Sequence, residues 1–238
     1  MPLLGTLGEG SSRSYGLYGN TGVGGRVVVP LTIAANTYNY DVYTNRGPTY
    51  VAGASDIVLT VAAPATVGST STGTYALLVP SAFSPLDTVT IVNNGVIQGM
   101  GGSGGAGGPG AGPVANGSPG GPGGNAIYVN RPTTITNNSV IAGGGGGGGG
   151  GARPTAKVAG GSGGGGAGFN GGAPNGTSAA GGGGFAPGGG PGGGRGAVGS
   201  GGSPGVAPGG AGGGAGSYLV GNPFVTWPAT GTRQGNVS

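Results

Sequence analysis

Apolar positions fall in short alternating runs bounded by turn-forming residues, and no stretch carries the three-to-four-residue spacing of an amphipathic helix. Residues 26–33 (RVVVPLTI) predict a first strand, which Pro30 restricts to a sheet edge because it has no N–H to donate. Residues 38–44 (YNYDVYT) set Tyr38, Tyr40 and Val42 against Asn39, Asp41 and Tyr43, and residues 56–61 (DIVLTV) follow a Gly-Ala-Ser turn. Both read as further strands. Residues 1–25 are rich in Gly, Ser and Tyr without periodicity and read as an extended docking arm.

An imperfect repeat organises the rest. Residues 87–99 (DTVTIVNNGVIQG) return as residues 131–143 (RPTTITNNSVIAG), with Thr90, Ile91, Asn93, Asn94, Val96, Ile97 and Gly99 matched by Thr134, Ile135, Asn137, Asn138, Val140, Ile141 and Gly143. A degraded third copy spans residues 225–235 (VTWPATGTRQG). Each copy has an apolar partner upstream, at residues 75–79, 125–129 and 217–220. Strand pairs that recur in this way stack on one another, as solenoid repeats share a core. Tyr128 and Trp227 are assigned to the core of that stack.

Composition changes the picture between the copies. Residues 99–216 hold 54 of the 70 glycines, and residues 1–98 only 13. Two excursions, residues 99–124 and 143–216, therefore leave the strands and come back. Uninterrupted glycine at residues 143–151 excludes the Gly-X-Y period of collagen, where only every third residue faces the axis. A glycine helix of the polyproline II type points its N–H and C=O groups outward, so several can hydrogen-bond side by side. A helix inside such a bundle tolerates no Cβ, whereas a peripheral one can carry Ala, Ser or Pro on its outer face. The inserts at residues 109–119, 152–159, 169–178, 185–187, 195–198 and 203–208 are then the turns between rods. The expected fold is a mostly β N-terminal domain plus a polyglycine II helix bundle, clamped by short β-strand repeats.

Charge and chemistry mostly exclude. Eight basic and four acidic residues, thinly spread, make no basic stripe for nucleic acid. With no histidine or cysteine, and with all four acids before residue 88, no catalytic or metal site and no cofactor is expected. Lys157 is followed by Val158 and Ala159 rather than Ser or Thr, so the glycine runs are not a P-loop. The start of the chain lacks the pattern of an export signal, which predicts synthesis in a cytosol.

Residues 135–154 (ITNNSVIAGGGGGGGGGARP), with IVNNGVIQGMGGSGG before them, resemble the glycine-rich adhesins at the tips of long tail fibres in T-even-type bacteriophages. The resemblance covers roughly residues 87–216. It implies a virion protein whose polyglycine helices form a layered sandwich, with far-end loops touching a bacterial outer-membrane protein or surface glycan. It also implies that the chain caps another tail-fibre or tail-tip protein, a trimer in that family. Residues 26–86 are read as a small β attachment domain and residues 87–238 as the receptor-binding domain. The receptor contacts expected in the turns are Arg153, Lys157, Phe169, Asn170, Asn175, Phe185 and Arg195, as exposed aromatic, amide and cationic groups on rigid supports. The alternative is a non-adhesive structural cap or adaptor of a fibre, in which changing the turns leaves adsorption intact.

Overall fold

The computed structural model describes residues 21–22, 25–110, 115–153, 158–170, 173–176 and 187–238. The docking arm assigned to residues 1–25 lies almost wholly outside them. Among the described residues the regular structure is β, with one 3-10 turn at Asn222–Phe224.

The strands form a three-sided parallel solenoid of five rungs. After β1 (Thr21–Gly22), the first rung is β2 (Arg26–Ile33), β3 (Thr37–Tyr38) and β4 (Tyr40–Asp41). The second is β5 (Ser55–Val61), β6 (Thr66–Gly68) and β7 (Leu77–Val79), and the third is β8 (Thr88–Asn93), β9 (Val96–Gln98) and β10 (Ile127–Val129). The fourth begins with β11 (Thr133–Asn137) and β12 (Val140–Ala142). It passes through the hairpin β13 (Gly168–Asn170) and β14 (Ala173–Gly176) before closing with β15 (Ser217–Val220). The fifth is β16 (Val225–Ala229), β17 (Thr232–Gln234) and β18 (Asn236–Val237). The first strands of all rungs make one sheet, the second strands another and the third strands a third.

Alternation drives this arrangement. In β5 every second residue is buried, and Leu59, Ile91 and Ile135 stack in register as fully buried neighbours of successive rungs. The predicted repeat register holds residue for residue: Thr134 pairs Thr90, Asn137 pairs Asn93 and Ile141 pairs Ile97. In the third copy a bulge shifts the pairing so that Thr136 meets Ala229, and the register returns at Thr232. Both end rungs carry a proline inside their long strand: Pro228 lies on the last strand of its sheet, and Pro30 lies beyond the two residues of β2, Arg26 and Val27, that pair with β1, so both blunt further strand pairing there.

Two expectations change. The strand foreseen at residues 38–44 is instead a corner: Asn39 adopts a left-handed φ of 44°, which places Tyr38 and Tyr40 in different sheets. Nor does a break fall at residue 86, since β5 pairs with β8 along six positions and residues on both sides share one core. Tyr128 sits half-buried on the outer face of its sheet, stacked at 4.9 Å on Tyr75, while Trp227 packs partly buried against the core.

The glycine excursions occupy one corner of the solenoid, the step from second to third strand, in the third and fourth rungs. They extend the sheets directly. Beyond β9 and β12, the amides of Gly99, Gly102, Gly105 and Gly108 donate to the carbonyls of Ala142, Gly145, Gly148 and Gly151. The ladder thus continues with a three-residue period. Residues 143–153 form the centre of seven described segments. Going from Gly144 to Ala152, successive amides donate in rotation to residues 115–124, 158–168 and 197–205, at 2.6–3.0 Å. Successive carbonyls from Ala142 to Gly151 accept in rotation from residues 99–108, 187–196 and 207–216.

This lattice explains where non-glycine residues are allowed. Every residue from Ile141 to Arg153 is buried, and a Cβ on Gly147 would lie 1.8 Å from the Ser103 carbonyl oxygen. In the outer segment 99–110 the side chains recur every third position, at Met100, Ser103, Ala106 and Pro109, and the last three are exposed.

Candidate functional site

The direction of each segment sorts the turns by end. Residues 99–110, 143–153 and 197–205 run away from the solenoid, because each continues from it or pairs parallel to one that does. Residues 115–124, 158–168, 187–195 and 207–216 run back. The described turn at residues 203–207 and the segment ends at residues 109–110, 115–116, 153, 158–159 and 187 therefore share the far end, whereas the hairpin of β13 and β14 and the turn at residues 195–197 lie against the solenoid.

The far-end turns meet around the backbone of Arg153. Its N–H faces the Ala115 carbonyl at 3.5 Å, and a Cβ on Gly108 would come within 2.9 Å of the same nitrogen. A Cβ on Gly205 would lie 2.7 Å from the Arg153 oxygen and 3.2 Å from the Pro187 ring. Gly110 abuts Val158 and Ala159 in the same way. The side chains this leaves on the surface include Pro109, Asn116, Val158, Ser203, Pro204 and Val206, the last 65% exposed. All are uncharged, on a backbone whose peptide groups are tied into the lattice beneath them. Such a face can bury apolar area and exchange neutral hydrogen bonds with little ordering cost. Among the described residues no group of acids, histidines or cysteines could hold a metal.

The predicted contact residues divide accordingly. Arg153 is at the far end but only 4% exposed, so its place is in the support of the turns rather than on their surface. Phe169 is a correction: it is fully buried at the opposite end, edge-on to Tyr38 at 5.0 Å. Its ring fills the space over Gly68, where a Cβ would sit 2.2 Å from a ring carbon. It plugs the joint between glycine segments and solenoid. Asn170 and Asn175 belong to the hairpin beside it, β13 and β14. Arg195 is half-buried at the solenoid end, where burial lowers the pKa of its guanidinium from the usual value. The next residue, Gly196, turns with φ +62° against Gly235. Lys157 and Phe185 lie outside the described residues. Sequence reasoning passed over Val158 and Val206, although they are the bulkiest aliphatic side chains of inserts 152–159 and 203–208.

Comparison with known proteins agrees with this architecture. The chain is similar to a protein in the crystal structure of the gp37–gp38 adhesin tip complex of the bacteriophage S16 long tail fibre. The TM-score is 0.55 at 24% identity, over 88% of this chain and 82% of that one, a likeness of fold. A search of curated protein sequences found no match. A family model described as phage tail fibre adhesin Gp38 matches residues 28–238, nearly the whole chain from the first long strand to the last residue. By that match the chain belongs to the Gp38 phage tail fibre adhesins, proteins of the virion tail fibre.

Proposed function

We propose that this adhesin meets its bacterial receptor, an outer-membrane protein or surface glycan, through the far-end turns at residues 109–116, 153–159 and 203–207. The glycine segments beneath them are polyglycine II helices packed as a sandwich, and they act as a stiff pedestal. At about 3.1 Å per residue, nine residues hold the turns roughly 28 Å from the solenoid. One observation carries the reading: the central segment has nine amides, Gly144 to Ala152, and nine carbonyls, Gly143 to Gly151, bonded to six neighbouring segments, which anchors the turns of one end to a single rigid rod. Loops on a rigid scaffold are where recognition resides. Lys157 falls within this set. The solenoid end, through residues 26–86 with the preceding arm, is the side that docks on another tail-fibre protein, a trimer capped by one copy. The S16 relative comes from a complex of gp38 with gp37. The chain performs no catalysis.

Adsorption of phage carrying altered turns tests this. Replacing residues 154–159 and 203–206 with Gly-Ser of equal length is expected to abolish or redirect adsorption, while replacing residues 197–198 leaves it unchanged. Unaltered adsorption and host range after the far-end replacements would sink the proposal.

A further inference from the structure

A hydroxyl-rich loop lies on the flank of the molecule, away from the far-end turns. The loop between β6 and β7, residues 69–76, is made of Ser, Thr and Gly followed by Tyr75 and Ala76. Asn39 orders it. From its left-handed corner its carboxamide donates to the Thr70 hydroxyl at 2.7 Å and accepts from the Thr70 amide at 3.0 Å and the Thr74 hydroxyl at 3.2 Å. Ser71 closes the loop through its hydroxyl and carbonyl, both bonded to Thr74 at 3.2 Å.

Two concavities flank this loop. One, of about 290 Å³, lies between the loop and the outer glycine segments and is lined by Thr70, Ser71, Thr72, Met100, Ser103 and Pro122. The other, of about 240 Å³, is lined by Asn39, Thr74, Tyr75 and Leu78. Both stand at or just below the lower size limit of small-molecule sites, about 300 Å³. The hydroxyls of Thr72 and Ser103 make no hydrogen bond to another described residue, while their loop and segment are held by backbone bonds. No charged side chain lines either concavity. The Tyr75 ring, beside Tyr128 at 4.9 Å, supplies an aromatic surface in the second concavity, while Thr72 and Ser103 place their hydroxyls in the first.

Free hydroxyls, small apolar walls, an aromatic platform and no charge select a neutral ligand with apolar faces and many hydroxyls of its own. A phosphate would find no cation, and an acidic sugar no counter-charge. We infer that the groove beside residues 69–76 is a neutral-carbohydrate site taking one sugar residue on each side of the loop, a second contact with the bacterial surface independent of the far-end turns.

Saturation-transfer NMR on the full chain tests it, with the methyl glycosides of glucose, galactose and N-acetylglucosamine as probes. At least one should show transfer with millimolar affinity. Ser103→Tyr fills the groove from an exposed position of the three-residue period, and it should weaken that affinity at least tenfold without lowering the melting temperature. The double change Thr72→Ala with Ser103→Ala removes only the two free hydroxyls and should weaken it at least threefold, which keeps the test decisive if the tyrosine variant fails to fold. Transfer should survive replacement of residues 154–159 and 203–206. Absence of transfer from all three sugars, or equal transfer in the hydroxyl-free variant, would overturn the inference.

Discussion

Gly147 and Gly194 are the same residue in the same kind of segment, and the lattice gives them opposite sensitivities. At Gly147 a methyl group would meet the Ser103 carbonyl oxygen at 1.8 Å, and both segments are pinned by bonds on either side, so neither can withdraw. Overpacking a site able to relax costs about 1–3 kcal/mol, and this one should exceed about 3 kcal/mol in Gly147→Ala. At Gly194 nothing lies within 4 Å of the added carbon, and φ is not in the left-handed region. Alanine there restricts only the unfolded chain and should stabilise by about 0.4–1 kcal/mol. Denaturant unfolding of the two variants measures both, and equal effects would refute the lattice as the reason for the glycine. Burial of Phe169 follows the same steric logic in reverse. Gly68 leaves a ring-sized gap, which a lone glycine in a short strand did not announce as the partner of an aromatic 101 residues away.

At the scale of elements, the asparagine pair of the repeat has two separate fates. Asn93 and Asn137 are buried and form a ladder: the Asn93 amide donates to the Asn137 oxygen at 2.8 Å, and the Asn137 amide donates to the carbonyls of Thr230 and Thr232. The ladder ends upward because Val61 is the register partner of Asn93 in the rung before, which leaves the Asn93 oxygen without a donor. Asn94 and Asn138 pair on the surface at 2.9 Å. Asn137→Ala strands several buried polar groups and should cost about 1–3 kcal/mol, whereas Asn138→Ala should stay within about 0.5 kcal/mol. Thermal unfolding of the pair would distinguish a structural ladder from a merely repeated motif. The repeats, the clamped excursions and the outer-face periodicity were legible because each leaves a one-dimensional trace. Which turns share an end was not. That depends on the number and direction of segments between them, and the composition that marks residues 169–178 as a turn does not say that the hairpin there lies at the solenoid end. The first two rungs were equally hidden, since their sequences share alternation with the later copies but no motif.

Across the whole molecule, the scarcity of titratable side chains makes a definite prediction about pH. There is no histidine, and the chain carries only four carboxylate side chains. Among the described groups, the Asp56 carboxyl is held below its usual range by the hydrogen bond from the Thr88 hydroxyl and, against some desolvation, by Arg26 at 2.7 Å. A carboxylate depressed in the folded state stabilises fully above its unfolded pKa, near 3.9, and loses that contribution as pH falls through the lower folded value. Burial raises the pKa of Tyr40 and Tyr50, so they stay neutral until strongly alkaline pH. The melting temperature should therefore be nearly flat from about pH 5 to pH 9 and decline only below about pH 4. Asp56→Asn should lower the plateau slightly and remove part of the acid decline, while a titration centred near neutrality would contradict this account. A scaffold joined by peptide hydrogen bonds, with Lys157 the one cation other than the buried Arg153 in the far-end inserts, also gives adsorption little dependence on ionic strength. Screening acts on exposed charges, and among the described residues the far-end surface presents none. Adsorption that fell tenfold between 50 mM and 500 mM salt would place the receptor contact on a charged part of the molecule instead.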